Sequence, residues 1–274
     1  MPLRRCSIRT VVGIAMLVGV IAAAIVTRAI WVDRANARRL REDLLSELQP
    51  TLLANCTVRR YGAPGNAYLL CGNLLEDVET AYSYGIGGED SWGCEVALER
   101  SLSVHQYDCF DARAPHCEGV AAVFHNECIG GTARTAESRI YDTLSGQIAR
   151  NGDAARRLVV KMDVEGEEWE ALLRTPDDVL ERIDQLAVEF HGTQRPTALD
   201  VVRMLKRTFY VVYLHFNNNA CSNRDQPFPS SVFQVTFVNK RLGAPDPSGR
   251  RPLLPSLLDA PDNSEAPDCQ MFLR

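Results

Sequence analysis

The stretch Ala81-Tyr-Ser-Tyr-Gly-Ile-Gly-Gly-Glu-Asp-Ser-Trp-Gly-Cys-Glu95 constrains the fold more than any other part of the chain. A short apolar and aromatic run turns there through closely spaced glycines into a helix-like segment. Without Cβ atoms, Gly85, Gly87 and Gly88 admit positive φ and let backbone N–H groups approach a ligand, while the following helix offers its N-terminus. Such a strand-to-helix turn suits a nucleotide, although plain β-turns share the same glycine density. Further on, Ser103-Val-His-Gln-Tyr-Asp108 reads as a second strand ending in an acid. In dinucleotide folds an acid about 20 residues beyond the glycines meets a ribose hydroxyl, and a strand-end turn is the plainer role for it.

The rest of the chain supplies the alternation that such a turn requires. Ala121–Asn126, Leu158–Met162, Gln185–Phe190 and Tyr210–Phe216 read as strands, and Cys94–Arg100, Tyr141–Ala149 and Ala198–Phe209 carry helical spacing. Cys128–Glu137 reads as a loop of small residues, and Phe233–Asn239 as the last strand. Alternating strands and helices predict a parallel sheet covered on both faces. Leu158–Met162 stops at Asp163 and opens a helix, for which Asp163 and Glu165 fit as N-cap and first-turn acid.

Lys161-Met-Asp-Val-Glu-Gly-Glu-Glu-Trp-Glu170 closely resembles the Lys-x-Asp-(Ile/Val)-Glu-Gly-x-Glu signature of FkbM-type and related methyltransferase-like domains, which use S-adenosyl-L-methionine. The resemblance runs from about Arg59 to Arg241. It implies an α/β fold: a Rossmann-like doubly wound sheet, mostly parallel with an antiparallel C-terminal hairpin, of the class I methyltransferase type. It also implies that Tyr84, Gly85, Gly87 and Gly88 pass beneath the methionine part of the cofactor, that Asp108 binds its ribose, and that Asp163 borders the same site. Two positions depart from the pattern. Ser83 stands where such enzymes commonly carry an acid, and Asn66-Ala67-Tyr68 stands where an Asp-Gly-Gly-like turn is expected.

Ligands of open α/β sheets bind at the carboxyl ends of the strands. The acceptor is therefore expected near Asp163, near Glu189 with His191, and near His215 with Asn217. Methyl transfer to a hydroxyl needs alignment and a route for the proton. His191 is the first candidate for general base and His215 the second, with Asn217 and Asn218 able to orient a sugar or polyol. Asp163, Glu189, His191 and Asn217 together have the chemistry to hold a divalent ion. Convergence of strand ends explains the same cluster without one, and no resident metal is assigned.

The net charge of −5 argues against broad nucleic-acid binding, which needs clustered Lys and Arg. Nine cysteines, none in a CxxC pair, favour an oxidising compartment and disulfides over structural zinc. Cys109, Cys117 and Cys128 surround one loop region, and two of them are expected to pair. Residues 1–9 carry Arg4, Arg5 and Arg9. Residues 10–32 form an apolar signal-anchor about long enough to span a bilayer, and residues 33–53 an amphipathic stem helix. The domain covers 54–241, and 242–274, rich in Pro, Asp, Ser and Arg, reads as a disordered tail. The expected protein is a single-pass, membrane-anchored methyltransferase with a lumenal or extracytoplasmic domain. It would act on oxygen of a glycan or small hydroxylated acceptor. The alternative is a non-catalytic methyltransferase-like binding domain that has lost its cofactor, a reading to which the two departures point.

Overall fold

The computed structural model describes residues 33–250, 252 and 258–269. The expected signal-anchor at 10–32 lies outside the described residues; among those described, no helix is long and apolar enough to cross a membrane. Helix α1 spans 33–47; its Leu44, together with Leu48 just past its end, packs into the main core, and Leu40 is left half exposed. The stem is thus docked on the domain, with Arg41 Nε donating to the Gln226 carbonyl and Glu47 paired with Arg203 and Lys206.

A hairpin of β1 (Val58–Tyr61) and β2 (Tyr68–Cys71) precedes the alternating part of the chain. Then follow β3 (Thr80–Tyr84), α2 (Ser91–Arg100), β4 (Ser103–Tyr107) and β5 (Ala121–His125). The predicted loop at Cys128–Glu137 instead contributes β6 (Cys128–Ile129) and β7 (Arg134–Ala136), which join β8 (Arg139–Asp142) in a small sheet. The helix after it, α3, is Leu144–Arg150, later than the periodicity predicts because Thr143 caps it through Gly146 N. β9 (Leu158–Met162), α4 (Glu168–Leu173), α5 (Asp177–Arg182), β10 (Ile183–His191), α6 (Ala198–Thr208), β11 (Phe209–Phe216) and β12 (Val232–Asn239) complete the fold.

The seven-stranded sheet has the order β11-β12-β10-β9-β3-β4-β5. β3, β4, β5, β9 and β10 pair in parallel, and β12 runs antiparallel between β10 and β11. This is the doubly wound sheet with a closing antiparallel hairpin that the resemblance implies. The chain winds outward from β3 through β4 to β5, then crosses back to place β9 on the other side of β3. That reversal makes the β3/β9 boundary the switch point, where carboxyl ends of strands open a crevice.

Both faces of the sheet are covered, and strand residues alternate between two cores. Tyr82, Tyr84, Val160, Met162, Val188 and Phe190 belong to the face covered by α1 and the helices from α3 onward. Ala81, Val159 and Ala187 face the other way, toward Trp92 and Val96 of α2 and Tyr61 and Leu70 of the hairpin. A period of two in side-chain direction follows from the pleat. Trp169 is buried against Phe190, ring centroids 4.1 Å apart, and donates Nε1–H to the His191 carbonyl.

Four disulfides join Cys56–Cys71, Cys94–Cys117, Cys109–Cys128 and Cys221–Cys269. Two of the three cysteines around the loop after β4 do pair, and the third is tied to α2. Cys221–Cys269 bears on the region expected as a disordered tail: its described part is held to the domain. His215, Asn218 and Gln234 receive Asp259, Asp262 and Asn263. The low apolar content of this segment hid its docking, which rests on charge pairs and a disulfide instead of a buried stripe.

Candidate functional site

The crevice is built around one close approach. Asp163 N donates to the Tyr84 carbonyl at 3.2 Å, and Gly85 N donates to the Tyr107 carbonyl at 2.9 Å, so the ends of β3, β4 and β9 are locked together. A Cβ on Gly85 would lie 1.6 Å from the Asp163 carbonyl oxygen, which leaves glycine as the residue that fits. Lys161 Nζ is buried beneath this junction. It donates to the carbonyls of Tyr84 (3.1 Å) and Gly85 (2.9 Å) and lies 3.4 Å from Asp163 Oδ2. A buried ammonium requires such partners. The lysine of the signature thus pins the glycine turn.

Above the junction opens a cavity of about 420 Å³, within the range of small-molecule sites. Tyr84, Gly85 and Gly87 form one side, Asp108, Phe110 and Asp111 a second, and Asp163, Val164 and Glu165 a third. Cys109 and Cys128, joined to each other, lie on the rim with Ile129 and Tyr141. Gly87 has φ +58° and a Cβ there would meet nothing within 4 Å, so the turn leaves open space beside its backbone. Gly88 is placed differently: it is crowded by the Asp111–Arg113 pair and does not line the cavity. The missing acid at Ser83 is accounted for behind the turn. Ser83 is buried and donates to Asp90, which caps α2 through Gly93 N and also accepts from Gln106 Nε2.

Asp108 lies at the end of β4 and lines the cavity. Its Oδ2 accepts from Gly87 N at 2.8 Å, and its Oδ1 accepts from the N–H groups of Phe110 (2.8 Å) and Asp111 (2.9 Å). The carboxylate therefore ties the glycine turn to the loop after β4. The strand-end turn reading and the cavity-lining reading both hold for this one residue, since a carboxylate has about four acceptor positions and three are used here.

Asp163 and Glu165 do not cap α4, contrary to the sequence expectation. Glu165 sits at φ +57°, and α4 begins later, at Glu168. Glu168 reaches back to accept from Val164 N at 2.8 Å, and the same oxygen meets His191 Nδ1 at 2.9 Å. Its other oxygen is buried without a hydrogen-bond partner among the described residues. On its far side His191 Nε2 faces Asp163 Oδ1 at 3.9 Å, Glu189 Oε1 at 3.8 Å and Glu165 Oε2 at 3.5 Å. Burial disfavours charge on this ring, but the hydrogen bond to Glu168 and the charges of Glu168, Asp163 and Glu189 outweigh it and hold it up to about 9. Burial, and next the charge of Asp163, push Glu189 up to about 7. These contacts favour the protonated ring, so the strand ends bring together three of the predicted residues and bias His191 against acting as a free imidazole base.

His215 is not part of this group. It is buried between two tail carboxylates, with Nε2 2.7 Å from Asp262 Oδ2 and Nδ1 2.6 Å from Asp259 Oδ1. Burial opposes its charge, and the contacts to Asp259 and Asp262 prevail, raising it to about 10. With both ring nitrogens occupied and no share in the cavity lining, it holds the tail, which corrects its expected role as a second base. Asn217 Nδ2 reaches Glu189 Oε1 at 3.2 Å, whereas Asn218 binds the Asn263 and Ala266 carbonyls of the tail.

The sequence reading missed Tyr68, whose hydroxyl donates to Asp163 Oδ2 at 3.1 Å, and Glu168 beneath His191. Glu168 stands inside the quoted signature, so a signal existed, but its partner is 23 residues away. Tyr84 was named, but Tyr107, which also lines the cavity, was not: Tyr84 stacks on Tyr107 at 4.7 Å, and Tyr107 stacks in turn on His125 at 4.3 Å.

No protein-family model and no curated protein sequence matches the chain. Among solved structures it is similar to an rRNA methylase from Streptococcus thermophilus, at 13% identity and a TM-score of 0.36, covering 61% of this chain and 90% of that one. It is also similar to a single-residue mutant of a 16S rRNA (adenine(1408)-N(1))-methyltransferase from Catenulisporales acidiphilia, at 13% identity and a TM-score of 0.26, covering 69% of this chain and all of the other.

Proposed function

We propose that the chain is an S-adenosyl-L-methionine-dependent methyltransferase acting on a hydroxyl of a glycan or small acceptor. The observation that carries this reading is the cavity at the switch point, bounded by the glycine turn, by Asp108 and by Asp163. Bound there, the cofactor would supply an electrophilic methyl group. Gly87 leaves room beside its backbone, and Asp108 has acceptor capacity left for a ribose hydroxyl. Asp163, with Glu189 and His191 behind it, forms the acceptor end, where an incoming hydroxyl is aligned and its proton leaves toward the carboxylates. Alignment supplies much of such a rate.

Four disulfides support an oxidising compartment for the domain. The apolar segment at 10–32 supports a membrane anchor with the domain on the lumenal or extracytoplasmic side. Asn55-Cys56-Thr57 has the form of an N-glycosylation sequon, but the Asn55 side chain is engaged with the backbone of Leu242 and Ala244 and lends no support to a lumenal side.

A second reading, a methyltransferase-like binding domain without catalysis, is favoured by Ser83 and by the three backbone bonds that already use Asp108. Thermal unfolding separates the two. With S-adenosyl-L-methionine at 100 times its Kd the methyltransferase should gain about 2.7 kcal/mol, and release of the demethylated cofactor should accompany incubation with polyols or glycans. A melting profile untouched by millimolar cofactor would favour the binding domain.

A further inference from the structure

We propose that Asp163, Glu189 and His191 form a divalent-cation site of carboxylate and imidazole donors, with Mn2+ as the ion of best-matched chemistry. The inference deepens the acceptor end of the site described above and rests on that reading for its role. One oxygen or nitrogen from each residue lies within 4.8 Å of the others. Two donors bound about 2.1–2.4 Å from one ion lie about 3.0–3.4 Å apart when adjacent and about 4.2–4.8 Å when opposite. The observed Nε2 to Oδ1 and Nε2 to Oε1 separations of 3.9 and 3.8 Å fall between these values. They are too long for hydrogen bonds, so the three groups face one another without bonding.

Each donor is also held from behind. Asp163 Oδ2 receives the Tyr68 hydroxyl and lies near Lys161 Nζ, while Oδ1 takes no hydrogen bond among the described residues and faces His191. Glu189 Oε2 accepts from Gln234 Nε2 at 2.8 Å, which leaves Oε1, bonded at 3.2 Å to Asn217, turned toward the ring. His191 Nδ1 meets the Glu168 carboxylate, an arrangement that keeps the Nδ1 proton in place, so that Nε2 is the nitrogen that gives up its proton to a metal ion. Glu168 is fully buried and its Oε1 holds both Val164 N and His191 Nδ1, so the ring's orientation is fixed from behind.

The donor set selects the ion. Two carboxylates and one imidazole, with no thiolate, suit Mn2+ better than soft-ligand metals. Of the three donors Asp163 lines the cavity, so the cation site borders the acceptor end through that residue. An acceptor hydroxyl bound there loses its proton more readily, because the cation stabilises the alkoxide.

The test uses the full-length chain with its disulfides intact, stripped of metal by chelation and titrated calorimetrically with MnCl2. One saturable site with a Kd in the micromolar range is expected. Asp163→Asn, Glu189→Gln and His191→Ala should each weaken it at least tenfold, and Glu168→Gln by about 10–100-fold through orientation of the ring. Electron spin-echo modulation of Mn2+ on the unaltered protein should show an imidazole nitrogen, a readout that stands even where a variant fails to fold. Absence of saturable binding, or bound Mn2+ without nitrogen modulation, overturns the proposal. Titration with S-adenosyl-L-methionine in the absence of metal keeps the two readings apart: Mn2+ binding without cofactor binding retains the cation site and removes the methyltransferase.

Discussion

Gly85 and Gly87 sit two residues apart in one turn and are glycine for different reasons. Gly85 must let the Asp163 carbonyl pass where a Cβ would be, whereas Gly87 has a positive φ and open space beside it. Gly85→Ala should therefore cost roughly 3 kcal/mol or more, combining overpacking with left-handed strain. Gly87→Ala should cost only about 1–2 kcal/mol. Urea denaturation of the two variants checks this contrast, and equal losses would mean that the strand ends part more easily than their hydrogen bonds imply. At this scale the sequence was legible where backbone chemistry speaks: the glycines, Asp108 and Asp163 all reach the cavity except Gly88. It was less legible for the histidines. His191 and His215 looked alike, each at a strand end, and differ because one faces Asp163 and Glu189 while the other is clamped by Asp259 and Asp262. Those two acids lie far beyond His215 in the chain, outside any local pattern.

At the scale of elements, the strands were the readable part, since burial along β3, β9 and β10 writes itself as short apolar runs. The small β6-β8-β7 sheet was missed because its strands are two to four residues long and mostly half exposed. The docked tail was missed because charge, not apolar area, attaches it. Its attachment predicts a pH response. His215 is raised from an ordinary 6.5 to about 10 by Asp259 and Asp262 against the cost of burial, with Tyr213 stacked alongside and bonded to Asp259. The sign follows from a folded value above the unfolded one: the stabilisation is complete below pH 6.5 and is lost as pH rises toward 10. Melting temperature should fall across that interval, and His215→Gln should flatten the fall; an unchanged slope would remove His215 from the clamp. The Cys221–Cys269 bridge spans 48 residues of sequence and restrains the same segment covalently. By loop-closure entropy its loss should cost about 4 kcal/mol. In the double Cys221→Ser, Cys269→Ser variant the denaturation midpoint should drop accordingly, and limited proteolysis should cut within 258–269. Full resistance there would show that the ion pairs suffice.

For the molecule as a whole, the strand order and the switch point locate the cavity, and buried cores cover both faces of the sheet that carries it. The four disulfides fasten the elements that the sheet does not: the first hairpin, the loop after β4 that carries the cavity rim, and the tail. The central claim is that the cavity binds S-adenosyl-L-methionine through the glycine turn and Asp108. Calorimetric titration of the full-length chain with the cofactor and its demethylated product measures it directly, with Asp108→Ala as partner experiment. Saturable micromolar binding is predicted, weakened about 10–100-fold in the variant through loss of the ribose contact and of the bonds that hold the turn. A folded protein that takes up neither compound would contradict the claim.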